Sequence, residues 1–198
     1  MLSATYRLSF TAGNSHVAVS RQLAAHYLNQ PDWDATYAVC VGENWLQSRT
    51  ANTSRRIASE LVARLKELSS SELVAFKDGP SEVSQLFLWL AICRHYALIA
   101  DFTVEVVRER FLVGDSTPLT LADFDLFYER KSALHPELTK VSPSTRGKIR
   151  QKTFQFLQEA ALLDSHRRVM PLMAPADLLA RVPASELAYL TVFVRGGV

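Results

Sequence analysis

Along most of this chain the apolar positions recur with a helical period. The clearest case is residues 52–68, where Ile57, Leu61, Leu65 and Leu68 fall at i, i+4, i+8 and i+11 and line one side of an amphipathic helix. Residues 86–93 (LFLWLAIC) are apolar on every side. A helix without a polar face must lie inside a fold, so 82–100 is expected as the centre of a helical bundle. In 142–163 (SPSTRGKIRQKTFQFLQEAALL), Ile149, Thr153, Phe156 and Ala160 share one stripe with Leu157 and Leu163 beside it, behind a cap at Ser144 or Thr145. Further helices are expected at 17–28, at 102–112 behind Asp101, and at 120–131 behind Thr120-x-x-Asp123. Shorter ones are expected at 69–76 behind a Ser69…Glu72 capping box, at 176–180 and at 185–190. Residues 33–46, entered through Asp32, are apolar enough to be largely buried. Strand patterning is weaker: Tyr6, Leu8 and Phe10 alternate with polar residues, and short strands are also expected at 169–173 and 190–194.

The loop-like 113–118 (VGDSTP) divides this pattern into two expected domains, 1–115 and 116–198. The first reads as a helical bundle. In the second, a helix, a short segment at 136–141, a longer basic helix and a turn-and-strand pair follow one another. That is the order of a winged helix-turn-helix, with Arg167 and Arg168 on the wing tip. The expected fold class is therefore mainly α, an N-terminal helical bundle plus a C-terminal winged helix-turn-helix-like domain with minor β.

The composition is that of a globular protein: 198 residues, 48% hydrophobic and 21% charged. The net charge of +2 is too small to imply a nucleic-acid partner. Its distribution changes the picture. Residues 140–168 hold seven Lys/Arg against two acids, and residues 48–66 hold five against one, on an acidic remainder. Arg146 and Arg150 flank the apolar stripe of the basic helix on one side, Lys148 and Lys152 on the other. A helix that is apolar below and basic above suits a phosphate backbone, and equally an ordinary solvated face. Arg55 and Arg56 are expected in the first turn of their helix, where cations oppose the dipole and an anionic partner would relieve them. Arg49 sits among aromatic neighbours, where capping and pairing with Glu43 or Asn44, or reach to a phosphate, are both open. The candidate DNA-binding set is thus Arg49, Arg55, Arg56, Arg146, Lys148, Arg150, Lys152, Arg167 and Arg168, with Gln151 and Gln155 as candidate base readers.

The sequence carries no familiar catalytic motif. No zinc-finger spacing, HExxH, phosphate loop, dinucleotide fingerprint or GxSxG elbow occurs, and the five histidines are scattered. His95 reads as a satisfied buried histidine, and Asp123, Asp125 and Glu129 as capping and solvated acids. No catalytic residue, metal or cofactor is expected. Cys40 and Cys93 read as reduced core residues, which suits the cytoplasm. The apolar run ends at Arg94, well short of the ~20 residues that a membrane span needs.

The segments SHVAVSRQLAAHYL, ENWLQSRTANTSRRIASELVARL, LFLWLAICRHYALIADFTVEVVRER and STRGKIRQKTFQFLQEAALL, in that order, resemble the BrxA family of BREX (bacteriophage exclusion) phage-defence systems. The resemblance covers roughly residues 6–175. It implies a cytoplasmic, mostly helical, non-enzymatic protein, similar in part to the NusB antitermination factor. Its implied partners are double-stranded DNA and larger BREX proteins, including a methyltransferase and an ATPase. A protein-interaction module of the same system and RNA binding are the alternatives.

Overall fold

The computed structural model describes residues 5–11, 14–171 and 176–190, which form two compact units: Ala12–His95, and Met1–Thr11 together with Tyr96–Val198. The regular elements among these residues are helical.

The first unit contains α1 (Val17–Asn29), α2 (Trp33–Gly42), α3 (Ala51–Leu65), α4 (Ser70–Asp78) and α5 (Ser81–His95). Their starts follow short-range chemistry. The Asp32 carboxylate accepts from the N–H groups of Asp34 and Ala35 at 2.8 and 3.0 Å, and Thr50 caps α3 through the N–H of Thr53. Ser69 and Glu72 form the expected capping box. α5 is the centre of this unit, and each residue from Leu86 to Cys93 is buried. α1 packs on α4, and α3 and α4 pack on α5. α2 departs from expectation. Only Thr36 and Cys40 on it are buried, while Trp33, Tyr37 and Val41 are half-exposed, so this apolar helix covers the core from outside. Trp33 stacks on Tyr27 at 3.9 Å.

Three polar contacts lock the unit. Arg94 reaches Glu72 with both terminal nitrogens, at 2.8 and 2.6 Å, and donates to the Glu67 carbonyl. Burial pushes the Glu72 carboxyl up, but Arg94 and the Ser69 cap outweigh it and hold the group below its usual range. His95 lies 2.8 Å from Glu67, as a satisfied histidine should. Arg64, counted among the basic residues by sequence, is fully buried in α3 and donates to the Asn14 carbonyl.

The second unit holds α6 (Ala97–Phe102), a π-helical stretch (Thr103–Arg108), α7 (Glu109–Leu112), α8 (Leu121–Ser132), α9 (Pro136–Thr139), α10 (Pro143–Glu159) and α11 (Ala176–Leu179), then a 3-10 turn (Ala184–Tyr189). Its core is aromatic. Phe124, Phe127 and Tyr128 recur at helical spacing on α8, and Phe102 meets Phe124 and Phe127 edge-on at 5.1 and 5.2 Å. Residues 5–8 form no strand and lead into a 3-10 turn, Ser9–Thr11. They still belong to this core. The Tyr6 hydroxyl donates to Asp101 at 2.6 Å, its N–H to Glu137 at 2.9 Å, and Phe10 packs against Tyr96. Asp101 is therefore no helix cap. It sits inside the helical run and accepts from Tyr6 and Lys131.

The winged helix-turn-helix with minor β is not what forms. There is no β-strand among the described residues. The expected hairpin after α10 is a tight turn closed by one isolated antiparallel bridge, Leu163 to Val169. The reason is local. Pro171 has no N–H for a ladder, and the Asp164 carboxylate spends both oxygens inside the turn, on the N–H groups of His166 and Arg168 and on the Arg168 guanidinium. Most of the strand expected at 190–194 lies outside the described residues, as does its counterpart beyond 171. Mainly α stands; the wing does not.

Candidate nucleic-acid interface

The nine sequence-predicted cations divide between the two units. Arg49, Arg55 and Arg56 belong to the first. All three are exposed and meet no carboxylate among the described residues. Because α3 already starts at Ala51, Arg55 and Arg56 lie in its second turn, past the region where the dipole would penalise them.

The other six stand on or just after α10. Ser142, not Ser144 or Thr145, caps this helix by accepting from the Thr145 N–H, because Pro143 occupies its first position and needs no partner for an N–H. The buried stripe of Ile149, Thr153, Phe156 and Leu157 is as expected, with Phe154 added. Its flanking arginines are not free. Arg146 lies 3.4 Å from Asp125 and 3.2 Å from Glu129, with its guanidinium 4.7 Å above the Tyr128 ring. Arg150 pairs with the other oxygen of Asp125. These two cations therefore face two carboxylates of α8, and the patch they form is close to neutral. Lys148 is exposed and meets no carboxylate among the described residues. The Lys152 ammonium donates to the Gln155 carbonyl at 2.9 Å.

Arg167 and Arg168 occupy the turn rather than a wing. Arg168 pairs with Asp164 at 2.8 Å, and the Arg168 N–H above all holds the Asp164 carboxyl below the usual range. Arg167 is exposed at the tip, in a left-handed conformation (φ 61°). Its guanidinium lies 5.4 Å from the Phe154 ring, and its carbonyl accepts from the Leu119 N–H, tying the turn to the entry of α8.

Between this turn, the start of α8 and α10 lies a cleft of about 570 Å³, lined by Leu121, Gly147, Arg150, Gln151, Phe154, Gln155, Gln158 and Arg167. Gly147, Gln151, Phe154 and Gln158 fall at i, i+4, i+7 and i+11 along its floor. Gln151 and Gln158 are exposed, while Gln155 is held by Lys152 and Glu159. Gln158 was not among the sequence-predicted readers. Its seven-residue spacing from Gln151 carries the signal, but Gln158 stands past the basic half of the helix. Among the described residues no group of three or more His, Cys, Asp or Glu is placed to hold a metal ion, and no single helix is long and apolar enough to cross a membrane.

Residues 4–181 match the model of one protein family, BrxA, and the chain belongs to the BrxA family of BREX phage-defence systems. Among its relatives is BREX protein BrxA of Escherichia coli O9:H4 (strain HS), 31% identical over 155 residues, which are 75% of this chain and 70% of that protein. BREX protein BrxA of Bacillus cereus (strain H3081.97) is 31% identical over 127 residues, 64% of this chain and 63% of that protein. The fold is shared with a crystal structure of an uncharacterized protein from Magnetospirillum magneticum. That likeness has a TM-score of 0.80 at 22% identity and covers 94% of this chain and 96% of the other.

Proposed function

We propose that this protein is a non-catalytic accessory component of a BREX system that binds duplex DNA, mainly through phosphates. It would act in the cytoplasm beside larger partners such as a methyltransferase and an ATPase. The observation that carries the reading is the set of exposed cations meeting no described carboxylate: Arg49, Arg55 and Arg56 in one unit, Lys148 and Arg167 in the other. Fixed positive charge that no described carboxylate neutralises attracts a polyanion at long range.

Charge reversal tests it. Arg146 and Arg150 are poor targets, because glutamate at either position would face Asp125 and Glu129 and unsettle the fold. Arg55→Glu with Arg56→Glu, and separately Lys148→Glu with Arg167→Glu, touch exposed side chains. Each pair is expected to weaken retardation of a labelled duplex while leaving the thermal midpoint nearly unchanged. Wild-type retardation by both double variants rejects the reading. The half-exposed Trp33, Tyr37 and Val41 on α2 favour a protein-interaction module as the second reading. Partners that stay bound in a pull-down with nuclease present would support it. A direct competition of duplex RNA against duplex DNA separates the remaining alternative.

A further inference from the structure

We propose that the cleft beside α10 seats the sugar–phosphate ridge of one DNA strand, with Gln151, Gln158 and Arg167 as donors and Arg150 as a further donor that Asp125 holds back. This rests on the duplex-DNA reading and assigns it a site.

Shape decides between backbone and base edges. Base edges lie at the floor of a major groove about 8.5 Å deep, and a protruding helix is needed to reach them. Here the amide face of α10 is recessed between Leu121 and Arg167. A recess receives a ridge, and the ridge of a duplex is its phosphodiester backbone. The dimensions agree. Gln151 and Gln158 are seven residues apart, about 10.5 Å along the helix at ~1.5 Å per residue. That equals about three base-pair rises of 3.4 Å along the duplex axis, so the two amides can reach different phosphates of one strand. At the N-terminal end of the cleft Gly147 has nothing within 4 Å of where a Cβ would stand, so a ligand can approach the helix backbone there. Both exposed glutamines present amide N–H₂ groups, which donate to phosphate oxygens without regard to sequence.

Arg150 makes the site conditional. It lines this cleft and also a smaller hollow of about 270 Å³ that it shares with Asp125, Glu129 and Arg146. The Asp125 carboxylate thus occupies the guanidinium that an incoming phosphate would use. Phosphate and carboxylate compete for one cation, and removing the carboxylate charge favours the phosphate.

The test is equilibrium binding of the full chain to labelled AT-rich and GC-rich duplexes across a salt series, with thermal melts as a folding control. No binding by the wild type rejects the duplex-DNA reading and this site with it. If the wild type binds, Gln151→Glu with Gln158→Glu is expected to weaken binding at least tenfold. Unchanged affinity removes the cleft as a seat and leaves the broader reading standing. Gln151→Ala with Gln158→Ala is expected to weaken both duplexes equally with no change in salt slope, since amides displace no counterions. A loss confined to one duplex overturns the backbone assignment in favour of base reading. Asp125→Asn is expected to tighten binding and steepen the slope by about 0.9, the value of one more phosphate contact. Weaker binding by a folded Asp125→Asn variant overturns the competition.

Discussion

Salt is the sharpest probe of how many cations meet DNA, because the structure separates cations that its own acids neutralise from cations they do not. Arg146, Arg150 and Arg168 are paired with Asp125, Glu129 and Asp164. Lys152 is engaged by Gln155. That leaves Arg49, Arg55, Arg56, Lys148 and Arg167. If all five lie on phosphates, log K against log salt has a slope of about −4.5, and affinity falls about 500-fold between 50 and 200 mM salt. If all nine engaged, the slope would approach about −8 and the loss about 10⁵-fold. Engagement of one unit alone gives a slope of about −2 to −3. Fluorescence anisotropy of a labelled duplex at five or so salt concentrations reads the slope directly. A flat line refutes the reasoning at its root, because lysine and arginine cannot neutralise phosphates without releasing counterions. A slope near the nine-cation value refutes the premise that internal carboxylates hold their arginines against DNA.

The remaining expectations concern the scaffold. Glu72→Ala strips Arg94 of its buried partner and removes the capping box, and should cost about 3–5 kcal/mol in urea unfolding at neutral pH. Because the Glu72 carboxyl is held low in the folded state, its contribution is present above the unfolded value of 4.5 and disappears as pH falls through the lower folded one. The stability gap between wild type and Glu72→Gln should therefore narrow on acidification from pH 7 to pH 3. A constant gap would show that the ion pair contributes nothing. Ala161, in the left-handed region at φ 57° just past α10, should gain about 1 kcal/mol on replacement by glycine, read as a raised thermal midpoint. Phe124→Ala, at the centre of the aromatic cluster, should cost about 3–5 kcal/mol.

Sequence was legible where physics is local. The caps at Asp32, Ser69 and Thr120, the all-apolar α5 and the buried stripe of α10 each depend on residues within a turn or two. It failed where the deciding partner is distant. Asp125 stands 21 residues before Arg146 and 25 before Arg150, and Glu129 stands 17 before Arg146, so their pairing leaves no periodic trace. Arg64 vanished into the core for the same reason: its acceptor, the Asn14 carbonyl, is 50 residues away. The wing failed through composition. The residues around 169–173 are apolar enough for a strand, but Pro171 and the self-satisfied Asp164 turn stop the ladder at one bridge. Of the exposed amides in the cleft, Gln151 was legible beside the basic residues of its helix, whereas Gln158 lies past them and carries no charge to mark it.

The participation of Tyr6 and Phe10 in the second unit has a consequence for synthesis. As the polypeptide emerges from the ribosome, residues 12–95 can close on themselves at once. Tyr6 and Phe10 must wait, because Tyr96, Asp101, Glu137 and Phe156 are translated long after them. A bulky tag fused directly before Tyr6 would burden the late-maturing half of the molecule, while the half it adjoins in sequence would assemble undisturbed.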